Sequence, residues 1–365
     1  MATLQDVLGY AVKHGASDIH LCVGSPPACR IDGKIRFFGD ETLTPTKTDT
    51  YLDEILTERQ RTEFNETGDV DVALSIPGLG RFRVNCLHQR SSTGIIMRHV
   101  KGKILSYDQL NLPDAMNQVS KTRRGLCLIT GTTGSGKSTT LAAIIDDINA
   151  TRREHIITLE DPIEFLHQNK KSLVTQREIT IDTKDFETAL RAAMREDPDV
   201  ILIGEMRDKD TFFASTSAAE TGHLVFSTLH TTNAMLTIDR IMDMFPSQQH
   251  DQIRSQLSLQ LKYTVAQRLL RSADGNGRVA AVEIMYNSPA IAQLIRENNI
   301  KQIPGVIMAG GEEGMQTFNM SLVELVKAEL VREEDAMNFS DNPDELQMNL
   351  KGIYLSSSRG GILRK

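Results

Sequence analysis

The chain has 365 residues, 40% of them hydrophobic, and this length allows two packed domains with cores of their own. Its 41 lysine and arginine residues against 48 aspartate and glutamate residues give a net charge of −7. A globally basic nucleic-acid binder is therefore disfavoured, although a local basic patch stays compatible with this balance. No run reaches the roughly 18 consecutive apolar residues that span a bilayer, so we expect no direct membrane insertion. The four cysteines form no CxxC pair, which argues against a disulfide framework or a zinc ribbon and fits a reducing compartment.

The first hundred residues predict a small domain of mixed secondary structure. A helix is expected from Leu4, with Thr3 as its N-cap and Gly15 at its end, because apolar residues recur on one face. Alternating apolar residues then predict strands, and Asp32-Gly33 predicts a two-residue hairpin turn. Further strands are expected at Val70–Ile76, Arg81–Leu87 and Gly94–Val100. We therefore expect an antiparallel sheet with helices over residues 1–100.

The pattern changes after a polar segment, residues 101–124, which we interpret as a linker. Short apolar runs then alternate with helical stretches, which is typical of a parallel sheet covered by helices on both faces. The runs are Leu126–Thr130, Ile156–Leu159, Val200–Ile203 and Leu224–Ser227. Beyond Pro246 the chain is predicted to be mostly helical, because Ile253, Leu257 and Leu261 have helical spacing. These patterns predict an α/β domain over residues 125–355 and a flexible basic tail at 356–365.

A glycine-rich loop between a predicted strand and a predicted helix is the strongest motif in the chain. The pattern GxxxxGK[ST] lets backbone N–H groups surround phosphates, Lys137 reach the β and γ oxygens and the Ser138 hydroxyl bind Mg²⁺. A chance glycine-rich turn is a poor alternative, because the strand and the helix are both in place. We predict ATP and Mg²⁺ as cofactors. The predicted ATP-binding residues are Gly131, Thr132, Thr133, Gly134, Ser135, Gly136, Lys137, Ser138 and Thr139.

Two acidic clusters follow apolar runs and could supply the remaining chemistry of hydrolysis. Glu205 ends an apolar run that resembles a Walker B strand without its usual metal-binding aspartate, so we predict that Glu205 activates water. Glu160, Asp161 and Glu164 follow an earlier strand, at the edge where ligands of parallel sheets bind. We assign Glu160 and Asp161 to the metal, directly or through water and together with Ser138, and Glu164 to catalysis at the phosphates. The alternative for Asp161, which precedes a proline, is that it caps a helix.

Two histidines flank the last predicted strand of this sheet. His230 follows the strand, so it is expected at the same edge as the acids, where it could bind the γ-phosphate of ATP. His223 precedes the strand. The alternative for each is a structural histidine whose ring is satisfied by neighbouring groups.

These four motifs, in this order, make the chain resemble the secretion ATPase superfamily of type II and type IV secretion and type IV pili (GspE/PulE/VirB11-like). Within it the chain is similar to the type IV pilus retraction, or twitching motility, ATPases (PilT/PilU-like). Ala16–Leu21 resembles the N-terminal signature of that family, and Ala290–Glu297 resembles its C-terminal helix motif. The motif departs from the family at Ala292-Gln293, where Arg-Asn is usual.

The resemblance implies a fold and an assembly. It implies a RecA-like ATPase domain preceded by a small PAS-like α+β domain, in subunits that form a homohexamer. Arg83 and Arg98 match the phosphate-sensing pair of the family, and we place His223 with them, in the same subunit or a neighbouring one. Without the resemblance, each arginine would be interpreted as a solvated charge on a strand face.

The resemblance also implies an ATP-hydrolysing motor that depolymerises pilin during pilus retraction. Relatives that extend pili or drive type II secretion typically carry a long extra N-terminal region and a four-cysteine zinc module, and their absence here favours retraction. The alternatives are an extension or secretion ATPase, a weakly hydrolysing accessory retraction ATPase, a non-hydrolysing ATP-binding partner and a nucleic-acid motor. The expected partners are other copies of this chain, an inner-membrane platform protein and a paralogous pilus ATPase, without nucleic acid. The expected location is the cytoplasmic side of the inner membrane.

Overall fold

The computed structural model describes residues 3–31, 33–100 and 102–353, so the tail predicted at 356–365 lies outside the described residues. The chain divides into two compact units. One consists of residues 1–103 with 163–166, and the other of residues 104–162 with 167–365. No helix among the described residues is long and apolar enough to cross a membrane.

Within its described residues, the first unit contains one six-stranded antiparallel sheet and three helices. The strands lie in the order β3-β2-β1-β6-β5-β4. Their bounds are β1 Asp18–Cys22, β2 Ala28–Ile31, β3 Lys34–Phe37, β4 Asp69–Ile76, β5 Gly80–Gln89 and β6 Ser92–Val100; the helices are α1 Leu4–Lys13, α2 Pro45–Ile55 and α3 Glu58–Thr67. The strands predicted at 70–76, 81–87 and 94–100 are confirmed with slightly wider bounds.

Local sequence signals explain where the first helix begins and which side it buries. The Thr3 side chain accepts a hydrogen bond from the backbone N–H of Asp6, whose carboxylate binds the Thr3 backbone N–H in return, so a capping box starts α1. The predicted N-cap is confirmed. The apolar face of α1 packs with α2, α3 and one face of the sheet around Phe82 and Met97. The opposite sheet face carries mostly polar residues at the alternate positions, with a few apolar ones such as Ile96. Of the predicted Asp32-Gly33 turn, Asp32 lies outside the described residues, and Gly33 has φ +77°.

The second unit contains a mixed seven-stranded sheet in the order β13-β12-β7-β11-β10-β8-β9. Of the strands in the described part of this unit, six are parallel, and the edge strand β13 is antiparallel to its neighbour. The strands are β7 Gly125–Thr130, β8 His155–Glu160, β9 Leu173–Glu178, β10 Val200–Ile203, β11 Leu224–Leu229, β12 Leu261–Arg271 and β13 Arg278–Tyr286. The helices are α4 Met116–Lys121, α5 Lys137–Thr151, α6 Phe186–Ala193, α7 Lys209–Glu220, α8 Ala234–Met242, α9 His250–Gln260, α10 Pro289–Arg296, α11 Ile303–Ala309, α12 Phe318–Lys327, α13 Glu333–Phe339 and α14 Pro343–Leu350.

Both faces of this sheet are buried under helices, which explains its continuous apolar runs. On β11, Phe226 packs on the side of α4 and α5, whereas Val225 packs on the side of α6 to α11. Because each successive side chain points to the opposite face, both faces need apolar residues. The predicted α/β fold is therefore present, with a mixed rather than wholly parallel sheet.

The segment interpreted as a linker contains ordered structure. It includes α4 and, before it, a 3₁₀ turn at residues 108–110. Tyr107, Leu112, Met116 and Val119 are buried and join the core beneath α5. The spacing of these apolar residues is too irregular to predict a helix from periodicity alone, so the burial became visible only in three dimensions.

The prediction that the chain is mostly helical beyond Pro246 was wrong over residues 261–286. The helical spacing of Ile253 and Leu257 is real and belongs to α9, but that helix ends at Gln260, and Leu261 begins β12. The next strand, β13, is buried on both faces from Val279 to Met285, so it shows no alternation that could identify it. The helices predicted near Ala290 and Leu322 are present as α10 and α12.

Replacing Phe82 tests the core of the first unit. Phe82 is fully buried, so Phe82→Ala should lower the free energy of unfolding by about 3–5 kcal/mol, through lost burial and the cavity that remains. Phe37→Ala is the matched control, because that ring is 64% exposed on the edge strand β3 and its loss should change little. Urea denaturation of the full chain, followed by circular dichroism, measures both. Equal losses in the two variants would contradict this core.

Candidate active site

The glycine-rich loop lies between β7 and α5, as its sequence predicts. Lys137 is the first residue of α5, and its ammonium donates to the carbonyl oxygens of Gly131 (2.8 Å) and Thr132 (3.1 Å) across the loop. Gly131, Gly134 and Gly136 all have positive φ, which L-residues with a Cβ rarely adopt. The loop therefore already has the curled backbone that surrounds a phosphate group.

One buried amide side chain on β12, that of Gln267, holds the glycine-rich loop in place. The Gln267 side chain donates to the Ser135 carbonyl (2.8 Å) and accepts from the Thr140 hydroxyl (2.7 Å), so it joins the loop to the first turn of α5. A Cβ at Gly131 would lie 2.5 Å from the Gln267 carbonyl oxygen, and one at Gly136 would lie 2.7 Å from its amide nitrogen. Both glycines are thus required by the close approach of β12.

A cavity of about 440 Å³ opens beside the loop. Its walls are the loop tip, the end of β12 and the segment after α13. Arg278 donates to the Gly134 carbonyl (3.3 Å), and Arg268 binds both oxygens of Asp341 (2.8 and 2.9 Å) while stacking over Phe318. These contacts join the C-terminal helices to the strand that supports the loop.

Residues from three neighbouring strand ends converge next to the loop. Glu205, just past β10, lies 3.3 Å from the imidazole Nε2 of His230, which follows β11. The other Glu205 oxygen accepts a hydrogen bond from Arg207 Nε (2.7 Å), and the same guanidinium reaches Asp161, just past β8, at 3.4 Å. The hydrogen bond that Arg207 donates to Glu205 raises the pKa of the arginine, which stays charged between the two acids. The expected convergence of Glu205, His230 and Asp161 is therefore observed.

The other acids predicted at this edge have different surroundings. Glu160, the last residue of β8, accepts hydrogen bonds from Thr158 Oγ1 (2.6 Å) and Gln176 Nε2 (3.1 Å). No helix begins at Asp161, so the capping alternative was wrong; the chain bends there and continues without regular structure. Glu164 is exposed and lies in the short segment 163–166, which belongs to the first unit.

The residues present fit a nucleotide with Mg²⁺ rather than a metal held by protein alone. Among the described residues, no three His, Cys, Asp or Glu side chains cluster so as to hold a metal ion. Magnesium in nucleotide sites usually binds one or two protein groups, waters and the phosphates themselves, which suits Ser138 and Asp161. The buried Ser135 hydroxyl has no hydrogen-bond partner within the described part of the chain, an orphaned group of the kind that a phosphate oxygen satisfies.

His223 lies away from the other predicted site residues of the second unit. Its Nδ1 lies 2.9 Å from the Ala218 carbonyl oxygen and 3.0 Å from the Thr221 hydroxyl, at the end of α7 and before β11. His223 and His230 lie at opposite ends of the six-residue strand β11, so their backbone positions are about 20 Å apart along the strand. His223 therefore does not join Glu205 and His230 in the same subunit, and a sensing role for it needs a neighbouring one.

The two predicted sensing arginines are direct neighbours in the first unit. Arg83 on β5 pairs in register with Arg98 on β6, so both side chains emerge on the same sheet face. This face is opposite to the one that packs against α1, α2 and α3. Arg98 Nε donates to Asp18 Oδ1 at 2.8 Å, and the Arg98 side chain remains 65% exposed.

Residues 1–338 match the family of type II/IV secretion system proteins. The chain belongs to this family. Over 341 residues it is 46% identical to the type IV pilus retractation ATPase PilT of Pseudomonas aeruginosa, covering 93% of this chain and 99% of that protein. It is 38% identical to the type IV pilus ATPase PilU of the same organism, covering 95% of this chain and 91% of PilU. A solved structure of the pilus retraction motor PilT with bound ADP matches with a TM-score of 0.88 and 46% identity, over 95% of this chain and 99% of that one.

Two residues of this secretion-family site were missed in the sequence. Arg207 stands two positions after Glu205, and the need of clustered carboxylates for a counter-charge could have identified it. Gln267 lies in a stretch that was predicted to be helical, so nothing placed it beneath the loop. Gln267 could have been identified only if β12 had been predicted as a strand that pairs with β7.

Replacing Gln267 tests whether it holds the phosphate-binding loop. Gln267→Leu leaves the Ser135 carbonyl and the Thr140 hydroxyl without their partner, at a cost of about 1–3 kcal/mol. We expect ADP affinity, measured with a fluorescent nucleotide, to fall about tenfold or more as the loop loses its shape. Gln118→Leu, at an exposed position on α4, is the control and should bind normally. Unchanged affinity in Gln267→Leu would show that the loop holds its shape without this amide.

Proposed function

We propose that this chain hydrolyses ATP and uses the energy to retract type IV pili by depolymerising pilin. The observation that carries the hydrolysis is the group of Glu205, His230 and Arg207 at strand ends next to the glycine-rich, phosphate-binding loop (P-loop). The similarity to PilT, which extends over nearly the full length of both proteins, supports retraction as the work performed.

The side chains divide the reaction among them. Lys137 exchanges its bonds to the loop carbonyls for bonds to the β- and γ-phosphates, where its charge stabilises the transition state. Glu205 orients the attacking water and accepts its proton, and His230, which contacts Glu205, binds the γ-phosphate. Ser138, Asp161 and Glu160 would hold Mg²⁺, directly or through water, and the ion would neutralise charge on the phosphate oxygens. Glu164 acts at the phosphate side.

Arg207 helps to fix the orientation of the Glu205 carboxylate. In the structure one Glu205 oxygen is engaged by the guanidinium, while the other faces His230. A carboxylate that two partners already hold loses little conformational entropy when it binds water. Its lone pairs therefore already point in a fixed direction. Arg207 also balances the charge of Asp161, which keeps two acids close together without strong repulsion.

We also propose the finer architecture and assembly that the resemblance implies. The first unit acts as a PAS-like domain, the second as a RecA-like ATPase domain, and six copies form a ring. Arg83 and Arg98 contact the γ-phosphate, because a planar, permanently charged guanidinium suits charge that develops on a phosphoryl group. His223 joins them from a neighbouring subunit.

The ring acts at the cytoplasmic side of the inner membrane, where a platform protein of the pilus machine links it to the membrane. A paralogous pilus ATPase is a second expected partner. The alternative within the same family is an accessory retraction ATPase, which the similarity to PilU over nearly the whole chain favours as runner-up. An extension or secretion motor is less well supported than either.

Glu205→Gln separates hydrolysis from binding. The amide cannot accept a proton, so kcat for phosphate release should fall at least about 100-fold while ATP affinity stays near that of the wild type. Glu220→Gln, an exposed acid at the end of α7, is the matched control and should leave kcat unchanged. Sedimentation with ATP should give a ring-sized species for all three proteins. Full turnover in Glu205→Gln would exclude it as the base, and a monomer under every nucleotide condition would contradict the ring.

A deletion strain tests the biological role. Cells that lack the gene should carry surface pili that extend but do not retract, so twitching motility is lost. The wild-type gene and Glu220→Gln should restore retraction, whereas Glu205→Gln should not. An accessory ATPase predicts only a partial loss, and cells without surface pili would indicate an extension motor instead.

A further inference from the structure

A row of charged residues crosses the polar face of the first unit's sheet. Asp18 on β1 pairs in register with Arg30 on β2 and with Arg98 on β6, and Arg98 pairs with Arg83 on β5. In this row, four neighbouring strands contribute three arginines and one carboxylate. Residues in direct register have Cβ atoms about 4.5–5.5 Å apart, so these charges act on one another directly.

Two arginines in direct register repel each other and would turn their flexible side chains apart if nothing held them. Asp18 holds one of these two arginines, Arg98, in an ion pair. Its Oδ1 accepts the Arg98 Nε–H at 2.8 Å, whereas its contact with Arg30 is longer, at 3.9 Å. The Asp18 side chain is 12% exposed and the Arg98 side chain 65%, so the anchor is buried and the guanidinium stays accessible.

The geometry points to Asp18 as a positioning residue that aims the Arg98 guanidinium at the γ-phosphate of ATP. The proposal rests on the proposed function, in which Arg98 senses that phosphate. Asp18 occupies the Nε–H, and within the described residues no hydrogen bond engages the two Nη groups of Arg98. Those two groups form the outer edge of the fork, which is the edge that binds a phosphate in a bidentate manner.

The surroundings of Asp18 keep it charged for this task. Burial by itself raises the pKa of Asp18, but hydrogen bonds from the Ser17 hydroxyl and from Arg98 outweigh it, and the pKa is below its ordinary value. An ionised, nearly buried carboxylate has a fixed position, because few rotamers keep both hydrogen bonds. Arg98 is therefore held at its Nε end before any nucleotide arrives, which reduces the entropy that it loses on binding phosphate.

The proposal explains a motif that the hydrolytic chemistry leaves unused. Ala16–Leu21 resembles a family signature, yet it contributes nothing to the P-loop, to the two acidic clusters or to the histidines that flank β11. Its apolar members, Ile19 and Leu21, are fully buried on the core face. Asp18 lies on the opposite face, so the motif combines packing on one side with the anchoring of Arg98 on the other.

A double-mutant cycle tests this assignment in the full-length chain. Asp18→Asn removes the charge and weakens the hydrogen bond, and we expect kcat for ATP hydrolysis to fall about 10- to 100-fold, with KM changed less than about threefold. Arg98→Ala should lower kcat at least as much. The double variant should match Arg98→Ala alone, because Asp18 acts only through that arginine. Asp71→Asn is the matched control, since this exposed carboxylate lies on the same sheet face and should leave kcat unchanged.

Each outcome separates this proposal from the proposed function. If Arg98→Ala hydrolyses ATP at the wild-type rate, the sensing role of Arg98 is wrong, and the assignment of Asp18 falls with it. If Arg98→Ala is slow but Asp18→Asn is not, only the assignment of Asp18 is wrong. Losses that multiply in the double variant would likewise overturn it, because Asp18 would then act through another group.

A second variant covers the case in which Asp18→Asn does not fold. Asp18→Glu keeps the charge but moves the carboxylate by one methylene, so kcat should fall by an intermediate factor while thermal melting stays near that of the wild type. Wild-type turnover in a folded Asp18→Glu, together with an unfolded Asp18→Asn, would assign Asp18 a structural role and overturn the proposal.

Discussion

The parallel pairing of β7, β11, β10 and β8 is the constraint on which the candidate site depends. In such a sheet every carboxyl end lies at the same edge, so residues far apart in the chain meet there without any long-range design of loops. The P-loop follows β7, His230 follows β11, Glu205 follows β10 and Asp161 follows β8. A one-residue shift in any register would move these side chains to another face or depth.

At this edge of the sheet, two cations are held by oxygen atoms of the chain itself. Lys137 is held by backbone carbonyl oxygens, and Arg207 is held by Glu205 and Asp161. A cation that already has partners pays little reorganisation energy when phosphate oxygens replace them, whereas an unpaired cation would first be solvated by water. The structure thus keeps its charges ready at defined positions.

The motifs could be predicted from sequence because each depends on a few adjacent residues. The P-loop, Glu205 and His230 all follow short apolar runs, and local order is enough to place them at strand ends. Gln267 could not be predicted, because its role depends on β12 lying beside β7, a pairing between residues more than 130 positions apart. The helical spacing of α9 also continued into Leu261 and disguised the start of that strand. Arg207 differs from Gln267, because its signal is local: it stands two positions after Glu205, where clustered carboxylates need a counter-charge.

The first unit illustrates how register creates chemistry that composition hides. Arg83 and Arg98 are ordinary strand residues in the sequence, separated by 15 positions, and only the hairpin between β5 and β6 places them side by side. Such a pair is unfavourable for folding, because like charges directly opposite destabilise a sheet. Asp18 offsets part of this repulsion, and it does so from a strand that is distant in sequence. The sheet keeps two arginines directly opposite each other and holds one of them with a buried carboxylate. The repulsion between the arginines lowers the stability of the fold locally, and the packing of the core does not require it. That cost is understandable where the arginines must present their charge to an anion, and this is the reason for assigning Asp18 to the function rather than to stability alone.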